Sequence, residues 1–190
     1  MTKAFKPLTM KYSSSDVEVS DIETNGFLQE LHTFHCSVII NPFELTETRF
    51  DPSGLREYLA RLHSGKIVAG HNFKGYDLPA LDILAGFKYE GFCFDTLVLS
   101  RLLNPERKLH SLDAWGKQLR FHKGKFGDTA DWSTFTQDMM DYCAQDVRLN
   151  SVLLLHFLKN LGWYDWFDMT KEDCIRLDKA IREGDLKVIT

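Results

Sequence analysis

The sequence predicts an α/β fold in which a mixed β-sheet, an antiparallel meander joined by parallel strands, is flanked by helices. Three observations lead there. Strand-like runs crowd into the first fifty residues before any helical period begins. After that, short apolar runs alternate with helical stretches, the signature of parallel strands with helices packed on the sheet. The longest periodic stretch, 133–161, repeats apolar positions at threes and fours and reads as one long buried helix.

Taken in order, residues 1–16 are polar, close on Ser13-Ser14-Ser15 and read as an N-terminal arm. Residues 17–22 form the first strand, 35–40 the second and 44–50 the third, with Asn41-Pro42 turning between the last two. Asp51-Pro52-Ser53 opens a helix to about Leu62, with Leu55, Leu59 and Leu62 on one face. Residues 66–71 read as a buried parallel strand and 77–86 as a helix. Residues 92–95 are one more strand, 96–103 a helix that stops before Pro105, and 109–119 another helix. Residues 121–131 are loop. After the long helix come Trp163, Trp166 and Phe167, then a charged helix over about 171–183. The domain reading is an arm (1–16), a body (17–162) and a C-terminal helical extension (163–190).

Bulk properties exclude several classes. A chain of 190 residues with 44% hydrophobic content is long enough for one well-filled core. The net charge of −4 gives no global basic signature, so contact with a polyanion has to come from a local patch. Arg101, Arg107, Lys108, Lys117, Arg120, Lys123 and Lys125 are the one such cluster. Cys36, Cys93, Cys143 and Cys174 form no C-x-x-C pair, which speaks for a reducing compartment and against a zinc site or disulfide framework. Without a membrane-length apolar run or a signal-peptide core, the expectation is a cytoplasmic protein with no membrane partner.

Acids carry the chemical signal. Asp21 and Glu23 close the first strand two residues apart, so they share a sheet face while Ile22 points the other way. Asp77 ends Asn72-Phe73-Lys74-Gly75-Tyr76-Asp77 just beyond the strand at 66–71. Asp146 lies in the long helix one turn after Tyr142, on the same face. Asp21, Glu23 and Asp77 thus fall at the carboxyl ends of strands, where α/β sheets build their sites. Four carboxylates drawn together raise one another's pKa values unless a cation sits among them, and an oxygen-only donor set suits Mg²⁺ or Mn²⁺. Two such ions make the clamp of phosphodiester cleavage, activating a water and stabilising the leaving oxygen.

D-x-E, N-x₃-Y-D and Y-x₃-D in that order resemble the three motifs of the DEDD 3′–5′ exonucleases, in the tyrosine-bearing subclass. Asp95–Leu102, His110–Gly116 and Met139–Tyr142 are further similar to the proofreading domain of bacteriophage family A DNA polymerases. Decoys elsewhere fail on context: Asp16/Glu18 and Tyr12/Asp16 precede the strand instead of leaving it, and Asn160–Asp165 follows the long helix with no motif after it.

The resemblance spans about residues 17–160 and implies an RNase H-like fold and a two-metal 3′–5′ exonuclease that releases nucleoside 5′-monophosphates. By position it makes Asp21, Glu23, Asp77 and Asp146 metal ligands and Tyr142 the holder of the attacking water. Thr24 and Phe27 become contacts to nucleic acid by position; Asn72 and His110 are further candidates for such contacts, His110 with a structural hydrogen bond as its other reading. Asp95 is expected to act structurally behind the site, His71 to touch phosphate or to hydrogen-bond within the fold, and Trp115 to be core. The implied partner is a single-stranded DNA 3′ end, in phage-type replication in the host cytoplasm. The Met1-Thr2-Lys3 start and charged tail further suggest a separately encoded polymerase in trans. Two other readings stand beside it: an RNA exonuclease of the ribonuclease D type and a catalytically silent polymerase-docking module.

Overall fold

The computed structural model describes residues 13–64, 66–122, 126 and 131–189. Most of the expected arm, part of the 121–131 loop, and Lys123 and Lys125 of the basic cluster lie outside these residues. The strands are β1 (Val17–Thr24), β2 (Phe34–Asn41), β3 (Thr46–Phe50), β4 (Ile67–Gly70), β5 (Cys93–Asp95) and β6 (Lys187–Ile189). The helices are α1 (Leu55–Leu62), α2 (Asp77–Ala85), α3 (Thr96–Leu103), α4 (Leu112–Leu119), α5 (Gln137–Leu161) and α6 (Lys171–Glu183).

They assemble as a single sheet in the order β5-β4-β1-β2-β3-β6. The β1–β2–β3 meander is antiparallel, and β4, β5 and β6 join in parallel. This is the mixed sheet of the RNase H-like layout. All eight residues of β2 are buried, as a strand covered on both faces must be.

The period-two alternation of β1 sorts its side chains between two cores. Val17 and Val19 pack with Cys36, Val38 and Ile40 against α5 and α6, through Met140, Cys143, Ala144, Val147, Leu177 and Ile181. Ile22 faces the opposite layer, built from Tyr58 and Leu62 of α1, Ala80 and Leu81 of α2, and Phe73. A third cluster seats Trp115 of α4 on Leu149, Leu153 and Phe157, so Trp115 is core. Trp163 and Trp166 stack on each other at 4.9 Å and close over the α5 core.

Sequence and structure differ mainly at helix starts, and side-chain caps explain why. The helix expected from Leu109 begins at Leu112, where Ser111 accepts the Ala114 N–H. The long helix begins at Gln137, not Ser133, because the Thr136 hydroxyl accepts the Met139 N–H. The third strand starts at Thr46 because Leu45 has φ +53° and still belongs to the turn. β6 carries no sequence signal of its own; it pairs with β3, bringing the tail back to the sheet. Among the described residues, no helix is long and apolar enough to cross a membrane.

Candidate functional site

The site forms where β1 and β4 end beside the middle of α5. Since Asp21 and Glu23 continue the Val17/Val19 face, they point toward α5 and not toward α1 and α2. Cys143 comes up from α5 between them: its Sγ lies 3.6 Å from the Asp21 carbonyl, and one donor atom from each of Asp21, Glu23 and Cys143 fall within 4.8 Å of one another.

Right beside Glu23 the β1/β2 register slips, Glu23 pairing with Cys36 but Thr24 with Phe34. The surplus residue is His35, and this bulge re-aims both strand ends, as bulges beside sites do. The buried His35 Nε2–H donates to the Trp132 carbonyl at 2.9 Å and thereby seats the loop that carries Trp132.

Asp77 approaches from the other layer. It opens α2, and its carboxylate accepts the Ile22 N–H at 3.2 Å across the end of β1. It is 2% exposed. Burial, and then the Asp21 charge, push its pKa well above the usual carboxylate range. Asp146, 3% exposed, and Asp21 line one small cavity of about 110 Å³ with His71, Leu112 and Asn150. Asp21 thus has Glu23 beside it on β1, Asp146 of α5 across one cavity and the charge of Asp77 from α2.

A second cavity of about 400 Å³ adjoins Glu23 and is lined by Thr24, Asn25, Gly26, Phe27, Tyr76 and Trp132. Its floor is fixed by hydrogen bonds. The Tyr76 hydroxyl donates to the Gly26 carbonyl at 2.6 Å and also pairs with the Thr24 hydroxyl. The Asn25 side chain accepts the His32 and Thr33 N–H groups and staples the loop to β2. Phe27 stands 79% exposed over the opening, an apolar ring that folding leaves in water. Opposite, Trp132 meets Tyr142 edge-on at 6.2 Å, and Phe126 packs against both rings.

The remaining candidates fall elsewhere. Asn72 takes φ +62° and turns the chain into the N-x₃-Y-D loop, its carbonyl accepting the Gly75 and Tyr76 N–H groups. Asp95 serves that loop, accepting from Asn72 N and Lys74 N while capping α3 through Leu97 N and Val98 N. The His110 ring bonds Ser100 Oγ at 2.7 Å, and the Trp115 indole donates to the same oxygen. Neither Asn72 nor His110 lines either cavity. His71 does, held by Thr96, whose hydroxyl also donates to Asn150.

Sequence reasoning gave no role to Tyr76, Trp132 or Asn150. Tyr76 could have been found, since it stands inside a motif already singled out. Trp132 sits in an aperiodic loop and had no signal. Of the basic cluster, Arg107 lies 4.0 Å over the Trp115 ring and bonds backbone carbonyls, and Lys117 pairs with Asp113.

No family model matches the chain. The DNA-directed DNA polymerases of Escherichia phage T7 and Enterobacteria phage T3 are each 30% identical to it over 77% of its residues. The chain spans only 27% of the length of either relative. Among solved structures, Brucella melitensis NrnC with bound Mg²⁺ aligns over 89% of this chain and 83% of its own, with a TM-score of 0.55 and 20% identity. The catalytic core of RRP6 from Trypanosoma brucei aligns over 91% and 47%, with a TM-score of 0.57 and 17% identity. At such identities these two likenesses concern the fold.

Proposed function

We propose that this chain is a 3′–5′ exonuclease domain of the DEDD type that trims single-stranded or frayed DNA 3′ ends one nucleoside 5′-monophosphate at a time. The observation that carries the reading is that Asp21 lies within 4.8 Å of a Glu23 donor atom, shares a cavity with Asp146 and feels the charge of Asp77, all beside an aromatic-walled pocket. The donor set fits divalent metal. Its carboxylate oxygens suit Mg²⁺ or Mn²⁺, and the Asp77 pKa is pushed up by burial first and by the neighbouring Asp21 charge second. Asp21, Glu23 and Asp146 would hold the ions, with Asp77 in support. Bound there, two such ions supply the Lewis acidity that lowers the pKa of water and neutralises charge building on phosphorus.

The chain's own residues do the rest. The Tyr142 hydroxyl orients the attacking water from the helix face it shares with Asp146. The terminal base enters the cavity beneath Phe27 and between Tyr76 and Trp132, and the Thr24–Gly26 turn lets the backbone reach the acids. A paired terminus has to unstack before its last phosphodiester fits, which selects frayed ends. DNA is favoured as substrate because the relatives similar over 77% of the chain are DNA-directed DNA polymerases. In that context the chain works beside a polymerase as a proofreading activity. Digestion of matched 5′-labelled DNA and RNA oligonucleotides in Mn²⁺ is the test. DNA shortened stepwise from its 3′ end and faster than RNA is expected, whereas faster RNA decay would make this a ribonuclease D-type enzyme. A silent docking module would degrade neither.

Phe27 separates binding from chemistry. At 79% exposure it adds little to folding, so Phe27→Ala should melt within a degree or two of the wild type. Stacking on one base is worth about 1–3 kcal/mol, so KM for a single strand should rise about tenfold while kcat changes little. A loss confined to kcat would remove Phe27 from the nucleotide pocket.

A further inference from the structure

Away from the cavities, Glu47 of β3 is a fully buried carboxylate held by two guanidiniums. Arg49 Nε meets its Oε1 at 2.7 Å, and Arg148 Nε and Nη2 meet its Oε2 at 3.0 and 2.7 Å. Arg49 also reaches α5 by bonding Asp141 through Nη1 at 2.5 Å. Asp141 and Arg148 are seven residues apart, two helical turns, so they share one helix face. Between them along the axis lie Tyr142 and Asp146, about 100° and about 140° around the helix from Asp141.

The sheet side has matching rows. Asp21 pairs with Val38, which pairs with Arg49; Val19 pairs with Ile40, which pairs with Glu47. Arg49 therefore occupies the same cross-strand row as Asp21, about 10 Å away at two strand spacings. One ion pair ties that row to the residue before Tyr142, and the other ties the next row to the residue two beyond Asp146.

Such a device answers a need that apolar packing leaves open. Beside the site, α5 packs through Met139, Met140, Cys143 and Ala144, flexible or small groups that fix its rotation less tightly than Val152, Leu154, Leu155 and Leu158 do further along. A helix with side chains has a radius of about 5–6 Å, so a 20° roll carries the Asp146 carboxylate about 2 Å from Asp21. Sites of this kind hold their geometry to within about 0.5 Å.

We infer that the Glu47–Arg148 and Arg49–Asp141 pairs are positioning residues, setting the rotation and axial register of α5 so that Asp146 and Tyr142 meet the acids of β1. The inference rests on the metal-dependent exonuclease reading above. Buried ion pairs replaced by apolar residues of similar size commonly keep or gain stability. Glu47→Leu with Arg148→Met leaves Arg49 half-buried with its Asp141 partner, so this variant should melt near the wild-type temperature. Because the register device is gone, kcat should still fall about tenfold, as should affinity for Mn²⁺ measured by the paramagnetic resonance of the free ion, while KM for the oligonucleotide stays within about twofold.

A double variant with wild-type melting, wild-type kcat and wild-type Mn²⁺ affinity would reduce the network to a stability feature. Should that variant not fold, Asp141→Asn asks the same question at a side chain 58% exposed: unchanged melting with weakened Mn²⁺ binding supports the inference, and unchanged binding overturns it. Wild-type protein that neither binds Mn²⁺ nor cuts DNA would sink the functional reading itself, a result distinct from either.

Discussion

Asp146→Ala is expected to lower Mn²⁺-dependent release of the 3′-terminal nucleotide by at least about a thousandfold. Interaction of a metal with the developing charge is worth several kcal/mol, and each 1.36 kcal/mol is tenfold in rate. The fold should survive, because Asp146 belongs to a site cluster and not to a core one. It lines a cavity with Asp21, His71 and Asn150. The measurement is single-turnover decay of a 3′-labelled oligonucleotide, with EDTA as the background and circular dichroism to check folding. Retained activity in a folded Asp146→Ala protein would move the catalytic centre away from α5. Asp21→Ala should behave alike, since Asp21 donates to the same cavity and to the Glu23/Cys143 cluster.

The strand that bears Asp21 and Glu23 was legible in the sequence because two constraints coincide there. Val17 and Val19 have to face α5, and the period-two rule then commits Asp21 and Glu23 to the same side. Likewise the i, i+4 spacing put Tyr142 and Asp146 on one face whatever the helix packed against. Less legible was everything set by capping and by non-local pairing. Ser133–Phe135 look as helical as the residues after them, and only the Thr136 side chain shows where the helix begins. β6 is three exposed residues whose pairing with β3 depends on where α6 happens to end.

The second cavity was half visible. Thr24 and Phe27 follow the first motif directly, but Trp132 arrives through the His35 bulge, which no local pattern announces. Glu47 and Arg148 were invisible for the same reason. A lone charge in a strand and another in a helix read as solvated until the fold buries them against each other.

Asp77→Asn should show activity and stability moving in opposite directions. Asn retains an oxygen to accept the Ile22 N–H, so the junction between α2 and β1 keeps its hydrogen bond. What it loses is a carboxylate whose charge is opposed by burial first and by Asp21 second. The sign follows from proton counting. Asp77 has a pKa raised in the folded protein, so near neutrality the metal-free fold holds a proton more tightly than the unfolded chain does. Its contribution to stability is fully present below the unfolded value of about 4 and drains away as pH rises toward the folded value. Asn does not titrate. In EDTA the difference in melting temperature, Asp77→Asn minus wild type, should accordingly be smallest near pH 4 and should widen toward pH 8. A gain of about 1 kcal/mol there would appear as about 2–4 °C for a chain of this size. Adding Mn²⁺ should erase the advantage, because binding to the native wild-type protein stabilises it by mass action and the variant, without the supporting carboxylate, binds the ion more weakly. Activity should fall about a hundredfold, in line with the upper range for groups that support a metal from behind its direct ligands. A variant that is less stable than wild type in EDTA at pH 8 would mean that Asp77 is retained for folding, not for the cation, and would remove it from the site.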